Sequence, residues 1–223
     1  MNSILTSKWT KVAVFLLCLV PLAILVLRGL RNDLTANAVQ FVEHWTGDWT
    51  IRFLIVTLAI TPVRNILNLP QLIRFRRMLG LFAFFYGCLH VTTWLALDRY
   101  FNWPEMLKDV AKRPYITVGF TGFVLMIPLA ITSTAGWIRR LGGKRWQLLH
   151  RAIYLSAIAG VIHYYWLVKS DHRKPLQYAA VVALLLAWRI ATWLKNRRQN
   201  TKAPGTVHPA EPLTSETILR QPG

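Results

Sequence analysis

The sequence predicts an all-α integral membrane protein, built as a six-helix transmembrane bundle with both the N- and C-termini in the cytosol. Hydrophobic residues make up 54% of the 223-residue chain, and they occur in continuous blocks instead of the stripes typical of soluble amphipathic helices. Basic residues give a net charge of +18 and concentrate in alternate loops between the blocks. This alternation follows the positive-inside rule, so it predicts the orientation of the helices.

Six apolar blocks reach or approach the roughly 17–25 residues that a membrane-spanning helix needs. In chain order they cover residues 12–27, 49–63, 78–97, 115–134, 146–168 and 176–194. The first block could instead be a signal peptide, but the small residues at 36–38 that resemble a cleavage site lie too far beyond it. The second block is the weakest, because it is short and contains Arg52.

The remaining features define one domain and a tail. The loops between the blocks are short, so consecutive helices are expected to be neighbours in an up-and-down bundle. Residues 1–195 therefore form one predicted membrane domain. Residues 196–223 are rich in Pro, Thr, Lys and Gln and are predicted to form a disordered cytosolic tail. This tail is far too short to be a flavin or nicotinamide domain.

Charge assigns the loops to the two sides of the membrane. The cytosolic side has no acidic residue before the tail and collects Lys8, Lys11, Arg64, Arg74, Arg76, Arg77, Arg139, Arg140, Lys144, Arg145, Lys195, Arg197, Arg198 and Lys202. The other side mixes acidic and basic residues. The basic excess is thus explained by topology and by contact with anionic lipid head groups, without nucleic acid as a partner.

Three histidines lie inside apolar blocks, where an ionisable group is costly and marks a candidate functional site. His90 is about 12 Å from Asp98 along its helix, and His163 is about 9 Å from Lys169, so both lie at similar depth near the extracytoplasmic side. Two neutral imidazoles on two helices are good axial ligands for a haem iron. The alternative is a hydrogen bond between helices, worth about 1 kcal/mol.

His150 differs from the other two histidines. It lies about 20 Å below His163, near the cytosolic face, and on one continuous helix the two side chains would point roughly 140° apart. We therefore expect His150 to bind something different from the partner of His163, or nothing.

Five segments carry a resemblance to a known family. They are HWTGDWTIRFLIVTLAITPVR, LIRFRRMLGLFAFFYGCLHVTTW, KRPYITVGF, LAITST and LGGKRWQLLHRAIYLSAIAGVIHYYW. Together they resemble the ferric-reductase and NADPH-oxidase transmembrane family over about residues 8–195. The resemblance is strongest to the branch that serves bacterial periplasmic methionine-sulfoxide reductases, which implies an inner-membrane location.

The resemblance also implies a ligand set. The broad family holds two stacked haems with two histidines on helix three and two on helix five. His150 and His163 match the helix-five pair, and His90 matches the outer position on helix three. The inner position on helix three falls near Arg76, which is not a ligand. The resemblance thus implies one haem b with its iron on His90 and His163, and leaves His150 as a possible further ligand.

The same resemblance implies a second cofactor and a set of partners. These are FMN, the membrane quinone pool as electron donor, and a periplasmic molybdenum-containing methionine-sulfoxide reductase as acceptor. The FMN phosphate would need basic residues such as Arg74, Arg76 and Arg77, although these also fit ordinary positive-inside charges. A quinone could bind near His44 and Asp48 on the outer side, or near His150 on the inner side.

The predicted function is that of a membrane electron-transfer subunit for the repair of oxidised periplasmic proteins, with the sulfoxide chemistry performed by the partner. The outer segments 98–113 and 169–174 would dock that partner. One alternative is a ferric or other metal reductase fed by a separate cytosolic flavin reductase. Another is a non-redox transporter with structural histidines.

Overall fold

The computed structural model describes residues 6–202, with side chains through residue 199, and the regular secondary structure of this part is helical throughout. The helices are α1 Lys8–Leu30, α2 Ala38–Ile66, α3 Ile73–Thr93, α4 Trp103–Lys112, α5 Pro114–Ile131, α6 Ala135–Leu141, α7 Gly143–His150, α8 Ala152–Leu167 and α9 Arg173–Lys202. A short 3₁₀ turn, Pro70–Leu72, precedes α3, and a π-helical turn, Trp94–Asp98, follows it. The chain up to Trp188 forms one compact unit, and the end of α9, from Arg189, forms a second.

Four helical segments are long and apolar enough to cross a membrane, and they identify the chain as an integral membrane protein. They are Lys8–Leu30, Pro70–Asp98, Pro114–Ile131 and Arg173–Gln199, with mean hydropathies of 2.6, 1.5, 1.8 and 1.4. Helices α2 and α8 would be the other two of the predicted six. Helix α2 carries Asp48 and Arg52, and α8 has only 16 residues, so the count of six stays a prediction.

The predicted fifth helix, residues 146–168, is wrong as a single element. Helix α7 ends at His150, and α8 begins at Ala152. The N–H of Arg151 donates to the carbonyl of Leu148 (3.1 Å), and the N–H of Tyr154 donates to that of Arg151 (3.0 Å). Such three-residue spacing tightens the turn and interrupts the α-helical ladder. His150 and His163 are therefore on separate helices, and the angle predicted between them for a continuous helix does not apply.

The last helix is longer than predicted. Helix α9 continues to Lys202, beyond the predicted boundary at residue 195. Lys, Arg and Gln, which dominate this stretch, are good helix formers and extend the helix past its apolar part. The rest of the predicted tail, residues 203–223, lies outside the described residues.

The core lies where α1, α2 and α3 meet, with a second close packing between α5 and α8. Phe53, Phe82 and Tyr86 form its centre, with the rings of Phe53 and Tyr86 stacked at 5.2 Å. The hydroxyl of Tyr86 accepts from the N–H of Leu22 (3.1 Å) and donates to the carbonyl of Cys18 (2.9 Å). The hydroxyl of Tyr86 is therefore inserted between the two ends of one rung of the α1 backbone ladder, the N–H of Leu22 and the carbonyl of Cys18, directly after Pro21, which has no N–H donor.

Helix α4 is an element that the sequence analysis did not predict. It lies between the π-helical turn and α5, and its buried face carries Met106 and Asp109. Asp109 pairs with Arg99 (2.7 Å) on one side and with Arg113 (3.0 Å) on the other. These two ion pairs fix α4 to the segments that precede and follow it.

Candidate functional site

His90 and His163, the two histidines predicted at equal depth, face each other in the structure. His90 is on α3 and His163 is on α8, and their ring centres are 6.1 Å apart with the planes at 73°. The two helices thus bring together residues that are far apart in the sequence. The two rings therefore lie side by side in the structure.

A backbone carbonyl orients each imidazole. Nδ1 of His90 lies 3.0 Å from the carbonyl oxygen of Glu43, and Nδ1 of His163 lies 2.7 Å from that of Tyr115. A carbonyl oxygen can only accept, so Nδ1 carries the hydrogen in both rings and donates it. Nε2 then presents a lone pair, which is the tautomer that a metal-ligating histidine needs.

Two glycines allow neighbouring helices to approach the imidazoles. A Cβ on Gly119 of α5 would lie 2.5 Å from Nδ1 of His163. A Cβ on Gly47 of α2 would lie 3.2 Å from Nδ1 of His90. The sequence analysis did not find Gly47, because only the folded chain shows that this residue lies against His90.

The two imidazoles line a cavity of about 480 Å³ enclosed by α2, α3, α5 and α8. This volume is typical of a cofactor or small-molecule site. The apolar part of the wall includes Ile51, Leu54, Gly87, Phe120, Phe123, Met126 and Gly160. Histidines at the wall of an otherwise apolar cavity suit a porphyrin with its iron between them.

The distance between the rings fits that interpretation. A metal–imidazole bond of roughly 2 Å on each side, with the half-width of each ring, gives ring centres about 6 Å apart. In the described part of the chain, no group of three or more His, Cys, Asp or Glu side chains could hold a metal ion. A metal at this site would therefore have two protein ligands, and a porphyrin supplies the remaining nitrogen ligands.

The outer part of the cavity is polar. Glu43, Asp98, Arg99 and Arg113 line it, and Arg99 also pairs with Asp98 at 3.1 Å. Glu43 lies before the apolar part of α2. Burial raises the pKa of its carboxyl to about 7, with the negative charge of Asp98 adding to the shift and Arg99 opposing it. This region therefore carries carboxylates and guanidinium groups close together.

His44 and Asp48, the predicted outer quinone candidates, line the same cavity. The side chain of His44 is exposed, whereas Asp48 is half-buried and pairs with Arg52 at 3.5 Å. The two residues are thus at one site with His90 and His163.

His150 is not part of this cavity. Its ring stacks on that of Trp146 at 3.8 Å, and its Nδ1 lies 3.1 Å from the carbonyl of Trp146. Nε2 of His150 is buried without a hydrogen-bond partner among the described residues. The carbonyl of Trp146 therefore orients this ring, as the carbonyls of Glu43 and Tyr115 orient the other two.

The arginines considered for FMN lie at the start of α3. Arg74 donates to the carbonyl of Ser7 (3.1 Å), and its guanidinium lies 5.2 Å from the ring centre of Phe75. Arg76 is half-buried and Arg77 is exposed. These three residues do not line the cavity that holds His90 and His163.

The comparison with known proteins agrees with this geometry. Residues 46–161 match the family described as the ferric reductase like transmembrane component. The chain is also 52% identical to the protein-methionine-sulfoxide reductase heme-binding subunit MsrQ of Herminiimonas arsenicoxydans, over 88% of this chain and 91% of that protein. The subunits of the same name from Caulobacter vibrioides and Ralstonia nicotianae are 47% and 49% identical, over 86% and 88% of this chain and 90% and 92% of theirs. Together with the four apolar helices, these relatives indicate a multi-pass protein of the bacterial inner membrane.

Proposed function

The chain belongs to the ferric-reductase-like transmembrane family, and within it to the MsrQ subunits. On this premise we propose that it carries electrons through one haem b bound between His90 and His163. The electrons would come from the membrane quinone pool. They would go to MsrP, a periplasmic molybdenum-containing methionine-sulfoxide reductase, which would reduce oxidised periplasmic proteins.

The facing imidazoles are the observation that supports this proposal. When bound, the haem would supply a one-electron redox centre. The carbonyls of Glu43 and Tyr115 would hold both Nε2 lone pairs toward the cavity, as outer partners of metal-bound histidines generally do. The apolar wall would exclude water, which together with the axial ligands sets the redox potential.

The outer face is the proposed docking surface for the reductase. It contains segment 98–113, which forms α4, and segment 169–174. The side chains of Tyr100 and Trp103 in the first segment are 79% and 61% exposed. Aromatic side chains are enriched in the centres of protein interfaces, and Tyr100 directly follows Arg99, which lines the polar part of the cavity.

The cytosolic half is the proposed place for further cofactors. The position on α3 that would face His150 in the broad family falls near Arg76, which is not a metal ligand. His150 would therefore hold a second metal centre only if another group supplied the second ligand. Arg74, Arg76 and Arg77 would bind the phosphate of FMN, and a cytosolic flavin reductase would be a second source of electrons. A fluorescence measurement for released flavin, on wild type and on Arg76→Gln and Arg77→Gln, tests the FMN proposal.

A reduced-minus-oxidised visible spectrum of the detergent-purified protein tests the haem proposal. We expect a sharp b-type α band in wild type that either His90→Ala or His163→Ala abolishes. His172→Ala is the matched control, because His172 contacts Tyr165 outside the cavity, and it should leave the band unchanged. His150→Ala distinguishes a protein with one haem from a protein with two. If His90 and His163 hold the only haem, this variant should keep the wild-type amount of haem per protein. A colourless wild type, folded and expressed with haem available, would contradict the proposal.

A further inference from the structure

A chain of polar side chains connects the cavity wall to the outer surface of α2, α8 and α9. Tyr164 of α8 and Asp48 of α2 both line the cavity, and the hydroxyl of Tyr164 lies near the carboxylate of Asp48. Asp48 lies 3.5 Å from the guanidinium of Arg52. Nε of Arg52 donates to the hydroxyl of Tyr178 on α9 at 2.9 Å. These four residues, which we name the membrane-side cluster, are thus continuous from the cavity to the surface.

Toward the middle of α2 and α9, the surface next to this cluster is apolar. The side chain of Arg52 is 39% exposed, whereas that of Asp48 is 19% exposed. Val56 follows Arg52 by one helical turn, Val181 follows Tyr178 by about one turn, and both are exposed. In a membrane helix such a face contacts lipid, where a guanidinium is costly unless a polar group covers it.

The guanidinium of Arg52 has capacity for a further acceptor. Its contacts with Asp48 and Tyr178 involve two of its nitrogen atoms, while the group has five N–H donors. Hydrocarbon supplies no acceptor. A ligand that reaches this site must therefore travel within the lipid and bring an oxygen atom with it.

Aromatic rings define the shape of the site. The guanidinium of Arg52 lies 4.8 Å from the ring centre of Trp49, and the rings of Tyr164 and Tyr178 are 6.0 Å apart at 34°. Such walls suit a flat ring better than a tetrahedral phosphate. The flat, lipid-soluble molecules that carry one oxygen at each end of a ring are the quinones and hydroquinones.

We propose that the membrane-side cluster binds the head group of a lipid-soluble hydroquinone, and that Asp48 accepts its protons. The inference rests on the proposed function and adds the place where electrons enter. One ring oxygen would accept from Arg52 and from the hydroxyl of Tyr178, while the other ring oxygen would donate its hydrogen to the carboxylate of Asp48. This location favours the outer of the two positions considered from the sequence, with Asp48 in place of His44 as the proton acceptor.

The reaction balances in atoms and electrons. Oxidation of the hydroquinone to the quinone breaks two O–H bonds, and two protons pass in turn to Asp48 and then to the polar outer part of the cavity. Two electrons would pass one at a time to the haem held by His90 and His163, and the second would follow once the reductase partner has reoxidised the iron.

Photo-crosslinking tests the binding without any reaction. Wild type in detergent is irradiated with an azido-quinone, and the labelled peptides are identified by mass spectrometry. We expect label on α2 around residue 52 and on α9 around residue 178, reduced at least about tenfold in Tyr178→Phe, because the variant loses one hydrogen bond to the ring oxygen. Asp33→Asn is the matched control, because Asp33 also pairs with an arginine, Arg28 at 4.0 Å, away from the cavity. It should be labelled like wild type.

Stopped-flow reduction of the haem by a soluble hydroquinone analogue tests the role of Asp48. Asp48→Asn should slow this reduction by at least about 100-fold, the typical contribution of a positioned base. Dithionite should still reduce the variant completely. If Asp48→Asn loses its haem, Tyr178→Phe decides the question, with an expected loss of about tenfold.

The outcomes separate the two proposals. If the analogue reduces the haem of Asp48→Asn and Tyr178→Phe at the wild-type rate, the quinone site is overturned and the haem proposal stays intact. Azido-quinone that labels neither α2 nor α9 would also overturn the quinone site. Label that an added phospholipid abolishes, but an added quinone does not, would assign the cluster to a lipid head group and overturn it as well. Absence of haem from wild type would instead contradict the proposed function.

Discussion

The close approach of α5 to His163 depends on a single residue without a side chain. Gly119 leaves no room for a methyl group, because its Cβ would lie 2.5 Å from Nδ1 and 2.8 Å from Cγ of the imidazole. The ring cannot retreat freely, since the same Nδ1 donates to the carbonyl of Tyr115 at 2.7 Å. The glycine and the carbonyl together fix where Nε2 points.

Gly119→Ala is therefore expected to reduce the haem content of the purified protein strongly, by about tenfold or more if displacement of the ring costs at least ~1.4 kcal/mol. Gly47→Ala should have a smaller effect, because its Cβ would lie 3.2 Å from the ring of His90, which needs to shift only slightly. Gly29→Ala is the control, because a Cβ there meets no atom within 4 Å. Haem and protein are measured on the same samples, and equal haem in all three variants would contradict the role of Gly119.

Residue-level predictions from the sequence succeed where depth and chemistry decide. His90 and His163 could be paired because flanking charges place both near the outer end of their helices. The carbonyls of Glu43 and Tyr115 could not be found in this way, since every residue has a carbonyl and only the packing of α2 and α5 selects these two. Gly47 could not be found for the same reason, because only the packing of α2 against α3 places it next to His90.

Among the elements, α1 depends on one hydroxyl from α3. Tyr86 is fully buried and bridges the N–H of Leu22 and the carbonyl of Cys18 beside Pro21. Tyr86→Phe keeps the ring and removes both hydrogen bonds. We expect the free energy of unfolding to fall by about 1–3 kcal/mol, because backbone groups in α1 lose a buried partner.

Thermal unfolding in detergent, followed by circular dichroism, measures this change. Tyr165→Phe is the control, because Tyr165 is an exposed tyrosine on α8 and should alter the stability little. An unfolding temperature of Tyr86→Phe equal to that of wild type would show that the hydroxyl does not stabilise the packing of α1 on α3.

Helix α4 depends on Asp109 in a similar way. This half-exposed helix is held by one carboxylate between Arg99 and Arg113, and removing that carboxylate takes the ion pair from Arg113 and leaves Arg99 with Asp98 alone. Asp109→Asn is expected to loosen α4, so that trypsin added to the outer side of spheroplasts cleaves after Lys108 or Lys112 at least about tenfold faster. Glu105→Gln, which changes an exposed acid on the same helix, should be cleaved at the wild-type rate. Equal cleavage of the two variants would contradict the role of Asp109.

The elements show where sequence patterns lose precision. Four long helices follow from continuous apolar blocks, because lipid demands them. Helix α4 was missed since it is short and outside the apolar blocks, and its stability comes from the ion pairs of Asp109. The interruption at Arg151 was missed because a single residue with helical φ and ψ (−69° and −19°) leaves no mark in composition.

For the molecule as a whole, topology decides which way electrons move. The predicted six spans place both termini in the cytosol and place α4 and the polar part of the cavity on the periplasmic side. Four spans satisfy length and hydropathy by themselves. Helices α2 and α8 do not satisfy both criteria, yet α2 supplies the carbonyl next to His90 and α8 carries the proposed ligand His163. The haem proposal therefore requires both helices to lie within the membrane.

Labelling with an impermeant maleimide distinguishes six spans from four. In intact spheroplasts we expect Lys174→Cys, just before the apolar part of α9, to be labelled at once, because it follows α8 on the outer side. Lys144→Cys, in α7, should be labelled only after the membrane is opened, because α5 and α8 would then flank a cytosolic segment.

If α2 and α8 did not cross, the segments on either side of α8 would lie on one side of the membrane, and both cysteines would react alike. The natural cysteines do not confuse the result, because Cys18 is buried and Cys88 is half-buried within α3. Opposite labelling of the two positions would place His163 inside the bilayer, at the depth that a haem shared with His90 demands.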